Sequence, residues 1–206
     1  ASLDQCGAHA TGSYPGTWRA DHKVIDEEYK EGLFVGYRWT DRLKKQSPLF
    51  PFGHGLSYTD FAFRDLKLDR DRIDDTDTLH VSVKVKNTGT RSGKTVVQLY
   101  VSDKESTVIR PVRELKGFEK IALQPGEERE VTFTLDKRAF AYWNTQIHDW
   151  HVETGEFTIG IGRSSRDIVL CRDVMVHSTT ELPRHYDKDT IFMDLMADEK
   201  VTAAMK

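Results

Sequence analysis

The sequence lacks a long hydrophobic run and a strong charge of either sign. No stretch approaches the roughly 20 apolar residues that a membrane-spanning helix needs, so we predict no membrane segment. The formal net charge is -3, and a nucleic-acid-binding protein needs a basic surface, so we predict no nucleic-acid partner. With 38% hydrophobic and 31% charged residues, the 206-residue chain has the composition of a globular protein.

Cysteine is also scarce, with only Cys6 and Cys171, far apart in sequence. A disulfide framework needs more cysteines, so we predict two unpaired thiols. No Cys/His spacing fits zinc, and we predict neither a metal nor a cofactor. Unpaired thiols favour the cytoplasm. The chain shows no signal peptide but opens on Ala1 rather than Met, so the sequence does not determine its localisation.

Proline is rare, but two of the six prolines fall in the run 48–58, Pro-Leu-Phe-Pro-Phe-Gly-His-Gly-Leu-Ser-Tyr. Proline fixes φ and removes a hydrogen-bond donor, whereas glycine opens positive φ. The run can therefore be neither a regular helix nor a central strand. We predict a stiff connector, rich in aromatic side chains, between two different kinds of sequence.

Residues 1–47, before the connector, form an irregular lead-in. Residues 1–21 have loop composition. Residues 31–39, Glu-Gly-Leu-Phe-Val-Gly-Tyr-Arg-Trp, have the apolar centre of a buried strand. A single buried strand needs a sheet, and no neighbouring strand is visible upstream, so we expect the chain to be the tail of a larger molecule.

From Thr59 onward, apolar and polar residues alternate, which is typical of half-buried strands. Phe61 opens the first predicted strand, and the others cover 79–86, 95–101, 113–123, 129–135, 155–162 and 167–170. A short helical turn is predicted over 137–142. The connections are too short for parallel crossovers. The fold is therefore predicted to be mainly β, an antiparallel immunoglobulin-like β-sandwich.

The C-terminal residues 179–206 depart from this pattern. A helix is predicted there, with Asp189 as its N-cap and with Ile191, Leu195 and Met196 on one face. This helix could pack on the sandwich, on the rest of the larger molecule or on a second copy of the chain in a homodimer. The predicted division is 1–58 for the lead-in and connector, 59–178 for the sandwich, and 179–206 for the helical extension.

Several blocks of this sequence resemble the C-terminal part of family 3 glycoside hydrolases, the β-glucosidases and β-xylosidases. Residues 31–39 and 48–58 resemble the signature near the C-terminus of that family. The blocks that resemble the family's fibronectin type III-like domain are, in order, residues 85–89 with Gly93, 97–101, 110–118, 123–127, 155–157 and 162–168. The resemblance covers roughly residues 14–170.

The resemblance implies a retaining enzyme built from a barrel, an α/β sandwich and this β-sandwich. An Asp of the barrel would be the nucleophile, and a Glu of the α/β sandwich the acid/base, with the two carboxyls about 5–5.5 Å apart. Both positions would precede Ala1, so no residue here is predicted to be catalytic. The implied partners are the remaining domains and, through them, an oligosaccharide or β-glycoside substrate.

Within this hypothesis, Phe50, Phe52, His54 and Tyr58 are predicted to dock the sandwich against the α/β domain. The acidic run 26–28 (Asp-Glu-Glu) is predicted to be a solvated surface rather than a catalytic site. Arg110, Arg113 and Glu114 are predicted to form a structural ion-pair cluster.

The four tryptophans divide into two groups. Trp39 and Trp143 are predicted to be packing residues, whereas Trp18 and Trp150 are weak candidates for sugar contact. Two alternatives to the scaffold stay open: a stand-alone carbohydrate-binding module, and a dimerisation module that uses the C-terminal helix.

Overall fold

The computed structural model describes residues 17–18, 25–26, 32–43 and 48–183 of the chain. The first two pairs of residues form a small antiparallel ladder of β1 (Thr17–Trp18) and β2 (Ile25–Asp26). Among these described residues, no helix is long and apolar enough to cross a membrane.

Two facing sheets form the main body. The three-stranded sheet has the order β3 (Phe61–Leu68), β5 (Leu79–Asn87), β8 (Glu128–Leu135). The five-stranded sheet has the order β4 (Arg72–Asp74), β12 (Asp167–His177), β11 (Gly155–Ser164), β6 (Gly93–Asp103), β7 (Glu114–Leu123). Neighbouring strands are antiparallel except for β4 and β12, which are parallel. The predicted β-sandwich is confirmed.

The core lies between the sheets and explains the alternation in the sequence. In β5, Leu79, Val81, Val83 and Val85 are fully buried, and the polar residues between them are not. β11 contributes Phe157, Ile159 and Ile161, also fully buried, to the same cluster. Burial of each such side chain stabilises the fold by roughly 1.5–3 kcal/mol.

A helical turn, Lys137–Phe140, follows β8 as predicted. The Asp136 side chain caps it by accepting a 3.0 Å hydrogen bond from the Arg138 backbone N–H. Phe140 is buried, with its ring edge-on to Phe157 at 5.3 Å between centroids. The chain continues into a hairpin of β9 (Tyr142–Asn144) and β10 (Asp149–His151).

The strand predicted over residues 31–39 is wrong for the described part of that segment, which contains a helical turn, Tyr37–Thr40. Gly32 and Gly36 have φ of 55° and 61°, values that interrupt extended backbone. Leu33 and Val35 are more than half exposed. The burial predicted for these two apolar residues is therefore also wrong for the described part of the chain.

Two further predictions concern the ends of the chain. The C-terminal helix, with Asp189, Ile191, Leu195 and Met196, lies outside the described residues. Cys171 is an exposed free thiol, in agreement with the predicted unpaired state, and Cys6 lies outside the described residues.

Candidate docking surface

The connector presents a row of exposed apolar side chains, which we call the docking strip: Leu49, Phe50, Phe52, Leu56 and Tyr58. Their side chains are 46 to 93% exposed. Exposed apolar side chains concentrated in one short segment, as here, favour an interaction site. Phe50, Phe52 and Tyr58 are three of the four predicted docking residues.

The backbone of the connector is fixed to the sandwich by hydrogen bonds. Gln98 of β6 is buried, and its Nε2 donates to the carbonyl oxygens of Gly53 at 3.0 Å and Arg163 at 2.7 Å. The Ser165 N–H donates to the Phe52 carbonyl at 2.8 Å. The exposed side chains therefore stand on an anchored backbone, which lowers the entropy lost when a partner docks.

Tyr37 supports the strip from beneath. Its ring stacks on Phe52 at 4.5 Å between centroids. Its hydroxyl accepts a 2.9 Å hydrogen bond from the Leu115 N–H of β7. Next to it, Arg38 forms a 2.8 Å ion pair with Glu114. The helical turn that replaces the predicted strand is thus a spacer between the strip and the sandwich.

Arg166, in the turn between β11 and β12, holds the same helical turn from the other side. Its Nη2 donates to the carbonyl oxygens of Thr40 at 2.6 Å and Leu43 at 3.1 Å. Its Nε lies 3.2 Å from the buried Asp41 carboxylate. Because the guanidinium is charged and binds three acceptors, it attaches the helical turn strongly to the β11–β12 turn.

Sequence reasoning missed Tyr37, Asp41, Gln98 and Arg166 as determinants of this surface. Tyr37, Gln98 and Arg166 do fall within the segments that carry the family resemblance. Their roles depend on contacts between residues that are distant in sequence, such as the 123 residues that separate Leu43 from Arg166.

His54, the fourth predicted docking residue, is exposed in a tight turn in which its N–H donates to the Pro51 carbonyl at 3.0 Å. Its ring lies 5.4 Å from that of Phe50. This position places His54 beside the docking strip.

The tryptophans occupy different environments. Trp150 packs against the core, and the Arg138 guanidinium lies 3.5 Å from its ring centroid, so Arg138 already covers one face of the indole. Trp143 is half-exposed and edge-on to Trp150, with 5.6 Å between centroids. Trp39 is partly buried and edge-on to Phe34. Trp18 lies in β1, and its side chain is outside the described part.

The predicted ion-pair cluster forms around Glu114. Its carboxylate lies 2.8 Å from Arg38, 3.3 Å from Lys116 and 3.6 Å from Arg110. Arg113 does not join these pairs, since it donates to the Ser165 carbonyl at 3.0 Å instead. Burial lowers the pKa of Lys116, although Glu114 acts in the opposite direction.

One carboxyl pair, Asp103 and Glu153, has the divergent pKa values expected of an acid/base couple. Burial, with a contribution from the Glu153 charge, raises the pKa of Asp103. Burial also acts to raise the pKa of Glu153, but hydrogen bonds from Thr107 and Ser106 outweigh it and lower that pKa.

Both carboxyls hold the loop that joins β6 to β7. Asp103 lies 3.1 Å from Arg110, and Glu153 accepts from the Ser106 hydroxyl at 2.7 Å and the Thr107 N–H at 3.1 Å. Their contacts are therefore those of a loop support. In the described ranges, no group of three or more His, Cys, Asp or Glu side chains could hold a metal ion.

Comparison with known proteins shows which proteins this chain is similar to. The sequence profile of the fibronectin type III-like domain matches residues 95–165. The thermostable β-glucosidase B of Acetivibrio thermocellus is 58% identical over 178 residues, which is 86% of this chain and 23% of that protein. The β-glucosidase BoGH3A of Bacteroides ovatus is 45% identical over 168 residues, which is 81% of this chain and 22% of that protein.

A solved structure extends the match to nearly the whole chain. The GH3 β-glucosidase of Bifidobacterium adolescentis superimposes with a TM-score of 0.80 at 37% identity, over 96% of this chain and 28% of that one. This chain is therefore similar to one part of family 3 β-glucosidases, and that part includes a fibronectin type III-like domain. The chain spans less than a quarter of the length of the two curated relatives above.

Proposed function

We propose that this chain is the C-terminal, non-catalytic portion of a retaining β-glycosidase that hydrolyses terminal β-linked sugars. The remainder of the enzyme supplies both catalytic carboxyls and binds the oligosaccharide or β-glycoside substrate. The chain itself docks against the catalytic domains and stabilises them.

The observation that carries this proposal is the docking strip. Five large apolar side chains stand exposed, the backbone at Phe52 and Gly53 is hydrogen-bonded to Ser165 and Gln98, and the Tyr37 ring stacks on Phe52. Burial of this apolar surface against a partner would contribute about 25 cal/mol for each Å² removed from water. The aromatic residues Phe50, Phe52 and Tyr58 are of the type that dominates interface energetics.

A carbohydrate-binding module would need an open aromatic face for a sugar ring. Arg138 covers one face of Trp150, and the two most exposed aromatic side chains, Tyr58 and Phe50, belong to the connector. Among the described residues of the two facing sheets, Phe118 is the single exposed aromatic side chain, and one ring does not form an aromatic platform. The scaffold function is therefore favoured over sugar binding.

A chimera tests the proposal. The matching part of the Acetivibrio β-glucosidase B is replaced by this chain, and hydrolysis of an aryl β-glucoside is measured for the chimera and for the purified chain alone. We expect an active chimera and an inactive isolated chain. Turnover by the chain alone that persists through successive purification steps, or a chimera that folds but has no activity, would contradict the proposal.

A further inference from the structure

A second surface feature lies away from the docking strip. A cavity of about 570 Å³ opens between the β9–β10 hairpin, the loop 104–113 and Arg38. Its rim carries the exposed apolar side chains of Val108, Ile109 and Trp143. A cavity of this size with an apolar rim can accept several side chains of a bound segment.

The cavity is cationic. Its described lining contains the cations Arg38, Arg110, Lys116 and Arg138 and the carboxylate of Glu114, and a second carboxylate, Asp103, lies outside the lining at 3.1 Å from Arg110. Four cations therefore face two carboxylates, which leaves a positive balance. Arg38, Arg110 and Lys116 all share the Glu114 carboxylate. An occupant that combines acidic and apolar side chains would complement both the lining and the rim.

The chain itself leads to this cavity. Gln146 is part of the lining, and its Nε2 donates to the Pro183 carbonyl at 2.5 Å. Pro183 is the last described residue, and residues 184–206 follow it. The six residues from 184 to 189 can span up to about 20 Å, which is enough to reach across a cavity of this volume.

Residues 189–199 have a composition that complements the charge of the cavity lining and the apolar side chains of its rim. This segment, which we call the acidic-apolar segment, reads Asp-Thr-Ile-Phe-Met-Asp-Leu-Met-Ala-Asp-Glu. It holds four carboxylates, no Lys or Arg, and five large apolar side chains. Tethered to the rim through Gln146 and Pro183, the segment has a high effective concentration at the cavity.

We propose that the acidic-apolar segment of the same chain occupies this cavity, with its carboxylates toward the Arg/Lys cluster and its apolar side chains against Ile109 and Trp143. The proposal is independent of the glycosidase function, because it concerns only groups within this chain.

Photo-crosslinking of the full chain tests the contact directly. p-Benzoylphenylalanine replaces Ile109, and an equal mixture of isotopically light and heavy chains is irradiated and digested. We expect crosslinks from position 109 to residues 189–199 within chains of one isotope. Mixed light–heavy crosslinks would show a second copy in the cavity and overturn the proposal. Absence of crosslinks to the segment would overturn it too, since the cavity would then be left for the rest of the glycosidase.

Hydrogen exchange supplies a matched comparison. Ile109→Asp places a like charge at the rim, and we expect amide exchange in residues 189–199 to become about tenfold faster, since the apolar contact is lost and repulsion is added. Phe118→Asp changes a side chain of similar exposure, 69% against 70% for Ile109, on β7 outside the cavity lining. Equal exchange of the segment in the two variants would contradict the proposal.

Discussion

Gly53 lies at the point where the connector meets the sandwich. Its φ is 81°, in the left-handed region that favours glycine. A Cβ at this position would lie 2.1 Å from the Gln98 Oε1 atom. Gln98 cannot easily move aside, because its amide bonds two backbone carbonyls and its Oε1 accepts from the Tyr100 hydroxyl at 2.6 Å. The absence of a side chain at Gly53 therefore allows the connector backbone to approach Gln98 closely.

Gly53→Ala is expected to destabilise the chain by more than the roughly 1–2 kcal/mol that positive φ alone costs a residue with a Cβ, because the clash adds to the backbone strain. Urea unfolding followed by tryptophan fluorescence measures the change in the free energy of unfolding. Gly126→Ala and Gly55→Ala are the controls.

The controls separate the two causes. Gly126 has φ of 77° but open space around its Cα, so its variant isolates the strain. Gly55 has neither a positive φ nor a neighbour within 4 Å of a Cβ, so its variant is expected to change stability by less than about 1 kcal/mol. A Gly53 variant no less stable than the Gly126 variant would show that Gln98 does not constrain the connector.

At the scale of elements, Asp75 joins three parts of the fold. It follows β4, and its backbone N–H donates to the His177 carbonyl at the end of β12 at 2.8 Å. Its buried carboxylate lies 3.0 Å from Lys137 Nζ in the helical turn. The same carboxylate accepts from the Thr179 N–H at 3.0 Å and hydroxyl at 2.7 Å.

These contacts make the stability depend on pH. Burial acts to raise the pKa of Asp75, but the hydrogen bonds from Thr179 and the Lys137 ammonium outweigh it, and the native pKa is lowered. The ionised carboxylate therefore stabilises the fold above the unfolded pKa of about 3.9, and this contribution is lost as the pH falls through the native pKa.

Asp75→Asn is expected to lower the free energy of unfolding by about 1–3 kcal/mol at pH 7, with a smaller difference from the unsubstituted chain at pH 3. Urea titrations at both pH values measure this. Asp74→Asn removes an exposed carboxylate whose partner is His177 at 3.2 Å, and its effect at pH 7 should stay below about 1 kcal/mol. A deficit for Asp75→Asn that is equal at pH 7 and pH 3 would contradict the role of its ionised form.

The strands could largely be predicted from sequence, because the buried and exposed faces of a half-buried strand appear as alternating apolar and polar residues. β5 was predicted over 79–86 and is observed over Leu79–Asn87. β12 was predicted only to residue 170 and runs to His177. Residues 171–173 are exposed in succession, so the alternation lapses before Val174 and Val176 return to the core.

The error at residues 31–39 has a different cause. An apolar run signals burial but does not say what provides it. Within this chain, Leu33 and Val35 are left exposed. The contact that fixes the connector to the sandwich could not be predicted either. Gln98 and Gly53 are separated by 45 residues, and no local sequence pattern indicates a contact over that distance in the chain.

For the whole molecule, the sandwich has a well-buried core of its own, while its connector carries apolar side chains that contact water. The two facts together suggest a folded module with one unfilled interface. On the proposed function, the catalytic domains of the glycosidase fill that interface, and the energy of docking appears as stability of the whole enzyme.

The most direct test compares one double variant in two settings. Leu56→Ser with Tyr58→Ser changes side chains that are 93% and 92% exposed in the chain alone. The thermal midpoint is measured by differential scanning calorimetry for the isolated chain and for the chimeric β-glucosidase. We predict an almost unchanged midpoint in the isolated chain and a drop of several degrees in the chimera, because burying each side chain is worth roughly 1.5–3 kcal/mol. Equal shifts in both settings would contradict docking through the strip.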